Sequence, residues 1–344
     1  MELSGKTLLI TGIGGFIGLR TAEMAIARGM KVKGLQRSEA GARAARDLGA
    51  DVTVGSVTDP AIAATVCRGA DVVLHAAARV KEGGSFADFR RANVDGTLTM
   101  ARAARESDVT SFIHLSSVMV YGFSYPNLAT EDAPLRDEGN PYCTTKIEAE
   151  RELIALNHPP EFGVIVLRPG DVYGPRGTGW VLQPLSLMRN NTFIVANGGA
   201  GVINHVYIDN LVEAIFLAIA AECYGQTFNI TDGATTSWYD YFARIAAIAG
   251  HSPRLTSLPG GMLKTMIRLR GWGQKLLGRE CDLFPDSVDF MTRPYPYSIA
   301  KAKTLLGYEP AIDLDRGMEL TRQWLAREGL IPPTSDLVAE RAPS

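Results

Sequence analysis

Short apolar runs alternate with longer amphipathic stretches along residues 6–166. This alternation predicts β-α-β units, in which buried parallel strands are covered by the helices that connect them. The predicted strands are residues 7–11, 32–36, 51–54, 71–75, 112–116 and 164–167, and the predicted helices are residues 16–28, 86–106 and 142–157. Because crossovers between parallel strands are right-handed, the pattern predicts an α/β fold with a doubly wound parallel sheet. Its ligand should lie at the carboxyl ends of the strands.

A glycine-rich turn joins the first predicted strand to the first predicted helix. It reads Thr11-Gly12-Ile13-Gly14-Gly15-Phe16-Ile17-Gly18. Glycine permits a tight turn and close approach of the backbone to a pyrophosphate, and the following helix presents unpaired N–H groups to the phosphates. A plain glycine-rich turn is the alternative, but this one opens a chain that continues in the β-α-β pattern. The sequence therefore predicts a Rossmann sheet that binds NAD or NADP.

The regular alternation ends after Arg168, where prolines and glycines crowd together through residue 179 and predict a loop that leaves the sheet. Helical and strand patterns return at residues 209–221 and 227–230, and a helical pattern with proline breaks follows residue 235. We predict a dinucleotide-binding Rossmann domain of residues 1–170 and 204–231. A smaller, mainly helical substrate lobe comprises residues 171–203 and 232–330, and residues 331–344 form a tail.

Composition narrows the class of protein. With 46% hydrophobic and 21% charged residues, the chain is typical of globular proteins, and its formal net charge of -2 offers no basic field for nucleic acid. The longest uncharged apolar run, residues 214–221, is far shorter than the roughly 20 residues that cross a bilayer. Four scattered cysteines lack the spacing of a disulfide framework or a zinc site, so we predict no metal. We find no targeting segment and expect a cytoplasmic protein.

The end of the second strand bears on which dinucleotide is bound. An Asp or Glu there would accept hydrogen bonds from the adenosine ribose of NAD, whereas a cation suits the 2′-phosphate of NADP. This strand ends in Gln36 with Arg37 directly after it, and no acid occupies the tip. A solvated surface arginine is the alternative interpretation of Arg37. We predict an NAD(P) cofactor with a preference for NADP.

Two Tyr-x-x-x-Lys stretches offer candidate acid–base chemistry, at Tyr142 with Lys146 and at Tyr297 with Lys301. Residues four apart lie on one face of a helix, so either pair can share a site. Only Tyr142 opens a helix directly after the fifth strand, and we expect Tyr297 to lie on a helix surface. A neighbouring ammonium stabilises a phenolate, so Lys146 should lower the pKa of Tyr142 from its ordinary value of about 10. Ser117, just after the fifth strand, would hold the substrate oxygen.

Together these features resemble the extended short-chain dehydrogenase/reductase family. The segments that carry the resemblance are TGIGGFIG (11–18), VLHAAA (73–78), NVDGT (93–97), SSVMVYG (116–122), YCTTK (142–146), LRPGDVYGP (167–175) and NHVYIDN (204–210). The resemblance covers nearly the whole chain. It implies that Ser117, Tyr142 and Lys146 are catalytic, and that the chain forms a homodimer through helices 86–106 and 142–157.

With the residues argued above, the resemblance also gives a set of expected cofactor contacts. They are Gly12, Gly15, Phe16, Ile17, Gly18, Arg37, Ser56, Val57, Ala76, Ala77, Ala78, Asn93, Tyr142, Lys146, Pro169, Gly170 and Val172. One departure is Ser56, where relatives often carry an aspartate that contacts the adenine.

Three further observations bear on the substrate. Dehydratases of the family carry an Asp–Glu pair after the catalytic serine, where this chain has Val118 and Met119, so we do not expect elimination of water. Nucleotide-sugar enzymes commonly hold the substrate diphosphate with an arginine at the place of Ile203, although Arg176 and Arg189 are alternatives here. The VYIDN form is similar to the 3β-hydroxysteroid dehydrogenase branch.

A basic amphipathic segment at residues 258–277 interleaves Met, Leu and Trp with Lys and Arg. Such a segment would cap an apolar pocket or rest against a membrane surface. A helix that packs its apolar stripe on the core is the alternative. In either case, a lobe of this composition suits an apolar small-molecule substrate better than a charged sugar nucleotide.

We therefore expect an oxidoreductase that interconverts a secondary alcohol and a ketone on a bulky apolar substrate, either steroid-like or another lipid-like or polyketide-like molecule. The alternative is a nucleotide-sugar 4-epimerase that uses the same serine, tyrosine and lysine. A non-catalytic dinucleotide-binding sensor is a third hypothesis. The three polar residues argue against it, because a sensor needs only the glycine turn.

Overall fold

The computed structural model describes residues 2–80, 85–250, 255–276 and 285–332. Its strands are β1 (Thr7–Thr11), β2 (Lys31–Gln36), β3 (Asp51–Val54), β4 (Val72–His75), β5 (Ser111–Leu115), β6 (Gly163–Pro169), β7 (Asp171–Tyr173), β8 (Ile194–Ala196), β9 (Val202–Ile203), β10 (His205–Tyr207), β11 (Thr227–Ile230), β12 (Thr236–Ser237) and β13 (Thr256–Leu258). Its helices are α1 (Phe16–Ala27), α2 (Glu39–Asp47), α3 (Pro60–Cys67), α4 (Phe86–Arg90), α5 (Gly96–Glu106), α6 (Pro141–Ile154), α7 (Gln183–Arg189), α8 (Ile208–Ala221), α9 (Trp238–Ile248), α10 (Gly260–Leu276), α11 (Asp286–Met291), α12 (Ala300–Leu306) and α13 (Leu314–Arg327). Most of the predicted tail lies outside the described residues.

Seven parallel strands form the central sheet, in the order β11-β6-β5-β4-β1-β2-β3. Strands β4, β5 and β6 are buried along their whole length. Strands covered on both faces are encoded as continuous apolar runs, which is why the sequence pattern locates them. The chain order reverses between β1 and β4, and at such a switch point the carboxyl ends of the strands leave a crevice for a ligand. The predicted doubly wound Rossmann sheet of the α/β class is confirmed.

The predicted helix 86–106 is interrupted between α4 and α5 by a π-helical turn at Arg91–Asp95. The turn carries Asn93, whose side chain accepts a hydrogen bond from the backbone N–H of Arg79 (2.7 Å) and donates to the backbone oxygen of Arg79 (3.1 Å). Asn93 also donates to Oγ1 of Thr145 on α6 (3.1 Å). Single π-helical turns inside α-helices are frequent at functional sites. Here the turn lets Asn93 join the segment after β4 to α6.

Contacts divide the chain into two compact units. The first comprises Met1–Gly170, Leu211–Ile230 and Ser298–Glu309, and the second comprises Asp171–Asn210, Thr231–Tyr297 and Pro310–Ser344. This division differs from the predicted one at residues 204–210, at residue 231 and at residues 298–309. Residues 204–210 belong to the second unit, because β10 pairs with β7. Residues 298–309 belong to the first unit, where the Ser298 N–H donates to the Ala129 oxygen (3.0 Å) and the Ser298 oxygen accepts from Asn229 (3.2 Å).

The second unit is rich in helices, as predicted, and its described residues also form three two-stranded sheets: β7 with β10, β9 with β12 and β8 with β13. Strands of two or three residues are too short to show an alternating pattern, so the sequence does not predict them. Aromatic side chains pack closely in this unit. Trp180, Trp238, Phe242 and Phe290 form four pairs with ring centroids 5.2–5.8 Å apart.

Within the described ranges, no helix is both long and apolar enough to cross a membrane. The same part of the chain holds no cluster of three or more His, Cys, Asp or Glu side chains that could hold a metal ion.

Candidate active site

The glycine turn between β1 and α1 is built from positions that exclude a side chain. Gly12 adopts a φ of +70°, a left-handed conformation that favours glycine. A Cβ added at Gly18 would overlap the backbone oxygen of Gly12, and a Cβ added at Gly14 would overlap the backbone oxygen of Gly41 on α2. The turn is therefore bare backbone that leaves no room for side chains at these positions.

Helix α1 begins at Phe16, and the residue before it, Gly15, has no side chain to cap the helix. The first N–H groups of a helix have no partner within it and lie at the positive end of the helix dipole. Those of Phe16, Ile17 and Gly18 are therefore available to an anion. The residues present fit the pyrophosphate of a dinucleotide.

The segment after β4 approaches the glycine turn closely. A Cβ added at Gly12 would lie 3.1 Å from Cα of Ala77, and the N–H of Ala77 donates to Oγ1 of Thr11 (3.2 Å). The small side chains of Ala76, Ala77 and Ala78 permit this approach. The structure therefore brings the glycine turn and the Ala76–Ala78 segment together, as the expected cofactor contacts require.

A cavity of about 330 Å³ lies in the first unit beyond the end of β2. Its lining residues are Arg37, Ser56, Val57, Thr58, Arg79, Asp88, Arg91 and Ala92. The structure thus brings together three of the expected contacts, Arg37, Ser56 and Val57. Arg79 and Arg91 also line the cavity. They were not predicted, because they come from a different β-α unit and no local motif marks them. The cavity also contains one carboxylate, Asp88, which pairs with Arg91 (3.5 Å).

The candidate catalytic side chains lie at the start of α6 and the end of β5. Oδ1 of Asn140 caps α6 by accepting from the backbone N–H of Tyr142 (2.9 Å), which fixes Tyr142 in the first turn. One turn later, Nζ of the buried Lys146 lies 5.9 Å from the Tyr142 ring centroid and donates to the backbone oxygen of Leu115 (2.7 Å). Ser117 lies close enough to the Tyr142 phenol for its side chain to lower the pKa of Tyr142. The predicted serine, tyrosine and lysine therefore converge within the first unit.

Burial controls the ionisation of this cluster. It raises the pKa of Tyr142 above its ordinary value, and the hydrogen bond from Ser117 offsets only part of that rise. The expected lowering of this pKa by Lys146 is therefore wrong: the pKa of Tyr142 is raised, and Ser117 is the group that acts to lower it. Burial also lowers the pKa of Lys146 to about 8, although the charge of Glu150 acts to raise it. A phenol with a raised pKa stays protonated at neutral pH, which is the form that donates a proton.

A buried ion pair lies behind the cluster, between Glu150 on α6 and Arg168 on β6. Nε and Nη2 of Arg168 donate to the Glu150 carboxylate over 2.6–3.2 Å. Nη1 donates to the Tyr121 phenol (2.6 Å), which in turn donates to Oδ1 of Asn229 (2.7 Å). Glu150 is absent from the residues predicted from the sequence, although it lies four residues after Lys146 and so shares its helix face. That spacing is a signal that could have identified it.

Two histidines near the cluster are packed in the core. Both ring nitrogens of His75 contact threonine hydroxyls, Nδ1 that of Thr11 and Nε2 that of Thr97 (3.0 Å each). The ring of His114 stacks on that of His75 with centroids 5.7 Å apart. Burial lowers the pKa of His75 to about 3 and that of His114 well below its ordinary value. Both imidazoles are therefore uncharged at neutral pH. They contribute to the packing of the sheet rather than to acid–base chemistry.

The remaining expected cofactor contacts fall in both units. Pro169 ends β6, and the N–H of Gly170 donates to the backbone oxygen of Ile230 (2.9 Å). Val172 lies in β7 of the second unit, where it pairs with Val206. Their roles in cofactor binding stay predictions.

The expectation that Tyr297 lies on a helix surface is wrong. Its side chain is only 1% exposed and it precedes α12. Its backbone N–H donates to Oδ1 of Asn204 (3.1 Å), which ties it to the second unit. Lys301 belongs to the first unit, with Nζ 5.4 Å from the Phe228 ring centroid. Tertiary packing therefore overrides the helix pattern at this second Tyr-x-x-x-Lys stretch.

A Rossmann sheet with a glycine turn after β1 and a Ser-Tyr-Lys cluster after β5 defines the class of short-chain dehydrogenases/reductases. The sequence model of the NAD dependent epimerase/dehydratase family matches residues 8–231, and the chain belongs to that family. It is an NAD-dependent enzyme of the extended short-chain dehydrogenase/reductase type.

Known relatives include both oxidoreductases and epimerases. A 4-hydroxy-2-methyl-3-oxo-4-farnesyl-3,4-dihydroquinoline-1-oxide ketoreductase from Stigmatella aurantiaca is 26% identical over 319 residues, which are 91% of this chain and 95% of that protein. A UDP-glucose 4-epimerase from Vibrio cholerae is 30% identical over 339 residues, which are 92% and 95%. The crystal structure of UDP-glucose 4-epimerase with UDP-glucose from Thermotoga maritima has a TM-score of 0.76 at 24% identity, covering 94% of this chain and 99% of that one.

Replacing Gly14 by Ala should weaken dinucleotide binding, because the new Cβ overlaps the Gly41 backbone and must displace the turn or α2. We expect at least about a tenfold loss of affinity, since the phosphate contacts of the turn depend on its position. Titration of cofactor fluorescence measures it. Gly261→Ala, on α10 with no atom within 4 Å of the added Cβ, is the matched control. Equal affinity of the two variants for the dinucleotide would contradict the assignment of the glycine turn to phosphate binding.

Replacing Glu150 by Gln should move the pH dependence of catalysis. The charge of Glu150 raises the pKa of Lys146, so its loss lowers that pKa from about 8. Lys146 then loses its proton at lower pH, and the alkaline fall in kcat/KM, which reports the free enzyme, begins at lower pH. Glu152→Gln, an exposed carboxylate on the same helix, should leave the profile unchanged. A fall that stays in place or moves to higher pH would contradict this electrostatic role.

Proposed function

We propose that the enzyme interconverts a secondary alcohol and a ketone on a bulky apolar molecule, either steroid-like or another lipid-like or polyketide-like compound. One observation carries the proposal: Ser117, Tyr142 and Lys146 cluster at the carboxyl edge of the sheet without an accompanying acid–base pair. The positions after Ser117 hold Val118 and Met119 in a 3₁₀ turn, and neither side chain can transfer a proton. When bound, the nicotinamide cofactor supplies or accepts the hydride.

Each of the three residues has a distinct task in this proposal. In the reducing direction, Tyr142 donates its phenolic proton to the ketone oxygen, and the raised pKa of Tyr142 keeps that proton available. Ser117 holds the same oxygen by hydrogen bonding, and the Lys146 ammonium stabilises the phenolate that remains. In the oxidising direction the phenolate takes the alcohol proton back.

The second unit favours an apolar substrate over a sugar nucleotide. A diphosphate is held by cations, through charge-assisted hydrogen bonds. Ile203 occupies the place of the expected arginine and is buried in β9. Arg293 is fully buried and pairs with Asp171 (3.0 Å), and Arg189 donates to the backbone oxygen of Leu330. These two cations therefore have protein partners. The ketoreductase relative, named for a farnesyl-bearing compound, supports the same choice of substrate class.

A nucleotide-sugar 4-epimerase is the second candidate, because a UDP-glucose 4-epimerase is 30% identical. It would use the same three residues but return the hydride to the substrate, so the cofactor shows no net change. Absorbance of the reduced cofactor distinguishes the two. Net consumption with steroid-like or long-chain ketones supports the oxidoreductase, whereas conversion of UDP-glucose without net consumption would overturn it.

Replacing Tyr142 by Phe should lower kcat by about 10²–10⁴-fold, the usual contribution of a positioned acid–base group. Cofactor affinity should change little, because only the hydroxyl is lost. Steady-state kinetics and cofactor titration measure the two quantities. Tyr297→Phe is the matched control, since it removes the same hydroxyl from the other Tyr-x-x-x-Lys stretch and should retain turnover. Undiminished turnover in Tyr142→Phe would remove this residue from the mechanism.

We further propose that NADP is the preferred cofactor, with its 2′-phosphate held in the cavity that Arg37 shares with Arg79 and Arg91. Arg37→Asp should lower the NADP-to-NAD ratio of affinities by at least about tenfold, since a charge-assisted contact is replaced by repulsion. Arg43→Asp, an exposed arginine on α2 outside the cavity lining, is the control. An unaltered NADP-to-NAD ratio of affinities in Arg37→Asp would contradict the proposed preference for NADP.

A further inference from the structure

Helix α10 has two opposite apolar faces, only one of which is packed. Leu263 and Ile267 are buried against Ala196 and Val288 in the second unit. On the other side of the helix, large apolar side chains are left in solvent. They are Met262 (55% exposed), Met266 (47%), Leu269 (65%) and Trp272 (67%). Packing on the core, the alternative left by the sequence, therefore accounts for only half of the helix.

Arginines flank the exposed apolar side chains. Successive helical residues are about 100° apart around the axis, so Met262, Met266, Leu269 and Trp272 share one arc. Arg268 falls beyond one edge of that arc and Arg270 beyond the other, and both are exposed. A helix that lies in a membrane interface has this arrangement, with apolar side chains facing the acyl chains and cations at the level of the headgroups.

All charged residues of the segment around α10 are basic. Residues 255–276 contain four Lys or Arg residues and no Asp or Glu, in a chain whose net charge is -2. Lys264 pairs with Asp289 on α11 at 2.5 Å. Arg268 and Arg270 are exposed beside the apolar arc. A second copy of the chain docking through this face would set these arginines against each other, whereas an anionic surface would attract them.

We propose that α10 docks on the surface of a bilayer that contains anionic phospholipid, with Met262, Met266, Leu269 and Trp272 inserted at the boundary between headgroups and acyl chains. Arg268 and Arg270 bind the lipid phosphates. The docking is peripheral and reversible, since it uses one face of one helix. It rests on α10 alone and is independent of the proposed reaction.

Cosedimentation of the full chain with vesicles tests this surface. Binding should be at least about tenfold stronger to vesicles of phosphatidylcholine with about one third phosphatidylglycerol than to phosphatidylcholine alone, and should weaken in high salt. Leu269→Glu should weaken binding to the mixed vesicles by about tenfold or more. Leu305→Glu, a 47% exposed leucine on α12, is the matched control and should bind as the wild type does.

The electrostatic part has its own variant. Arg268→Glu should weaken binding by about fivefold or more, while Arg327→Glu, an exposed arginine on α13, should not. Trp272→Ser supplies a second apolar variant, and circular dichroism checks that each variant folds. Absence of wild-type binding to the mixed vesicles, or equal losses in variants and controls, would overturn the proposal. Self-association that Leu269→Glu abolishes, without vesicle binding, would assign this face to a second copy instead.

Discussion

The buried pairing of Glu150 with Arg168 is the constraint on which the candidate active site depends. It joins α6 to β6, and its extension through Tyr121 reaches Asn229 on β11. Removing one partner of a buried ion pair typically lowers the free energy of unfolding by about 3–5 kcal/mol. The position of α6 relative to β6 and β11 is therefore strongly held. Because Lys146 and Tyr142 occupy the same face of α6 as Glu150, the pair also sets where the amine and phenol stand at the sheet edge.

Sequence predicts most of the first unit because its parallel strands are buried on both faces. The predicted bounds of β1, β3 and β11 are those of the structure. The break in helix 86–106 was not predictable, since it follows from hydrogen bonds between Asn93 and residues that are distant in sequence. The same applies to Tyr297, whose burial depends on Asn204. The pattern of apolar residues along the chain predicts which face of an element is buried. It does not predict which distant residue a polar side chain will hydrogen-bond.

The candidate site shows the same limit in chemical terms. Spacing alone brings Tyr142 and Lys146 to one face, and it would also have included Glu150. The direction of the pKa shift of Tyr142 does not follow from spacing, because burial of the phenol is its largest cause. Arg79 joins the cavity with Arg37 only because the segment after β4 passes the glycine turn, a tertiary relation that no local motif encodes.

The interleaved course of the chain has a consequence for how the molecule can be dissected. The chain passes from one unit to the other five times, at residues 170, 210, 230, 297 and 309. Neither unit is a continuous stretch of the gene, so neither can be expressed separately by simple truncation. A deletion that stops the chain at residue 297 would also remove α12 from the first unit. A recombinant exchange of the second unit must therefore replace three separate segments at once.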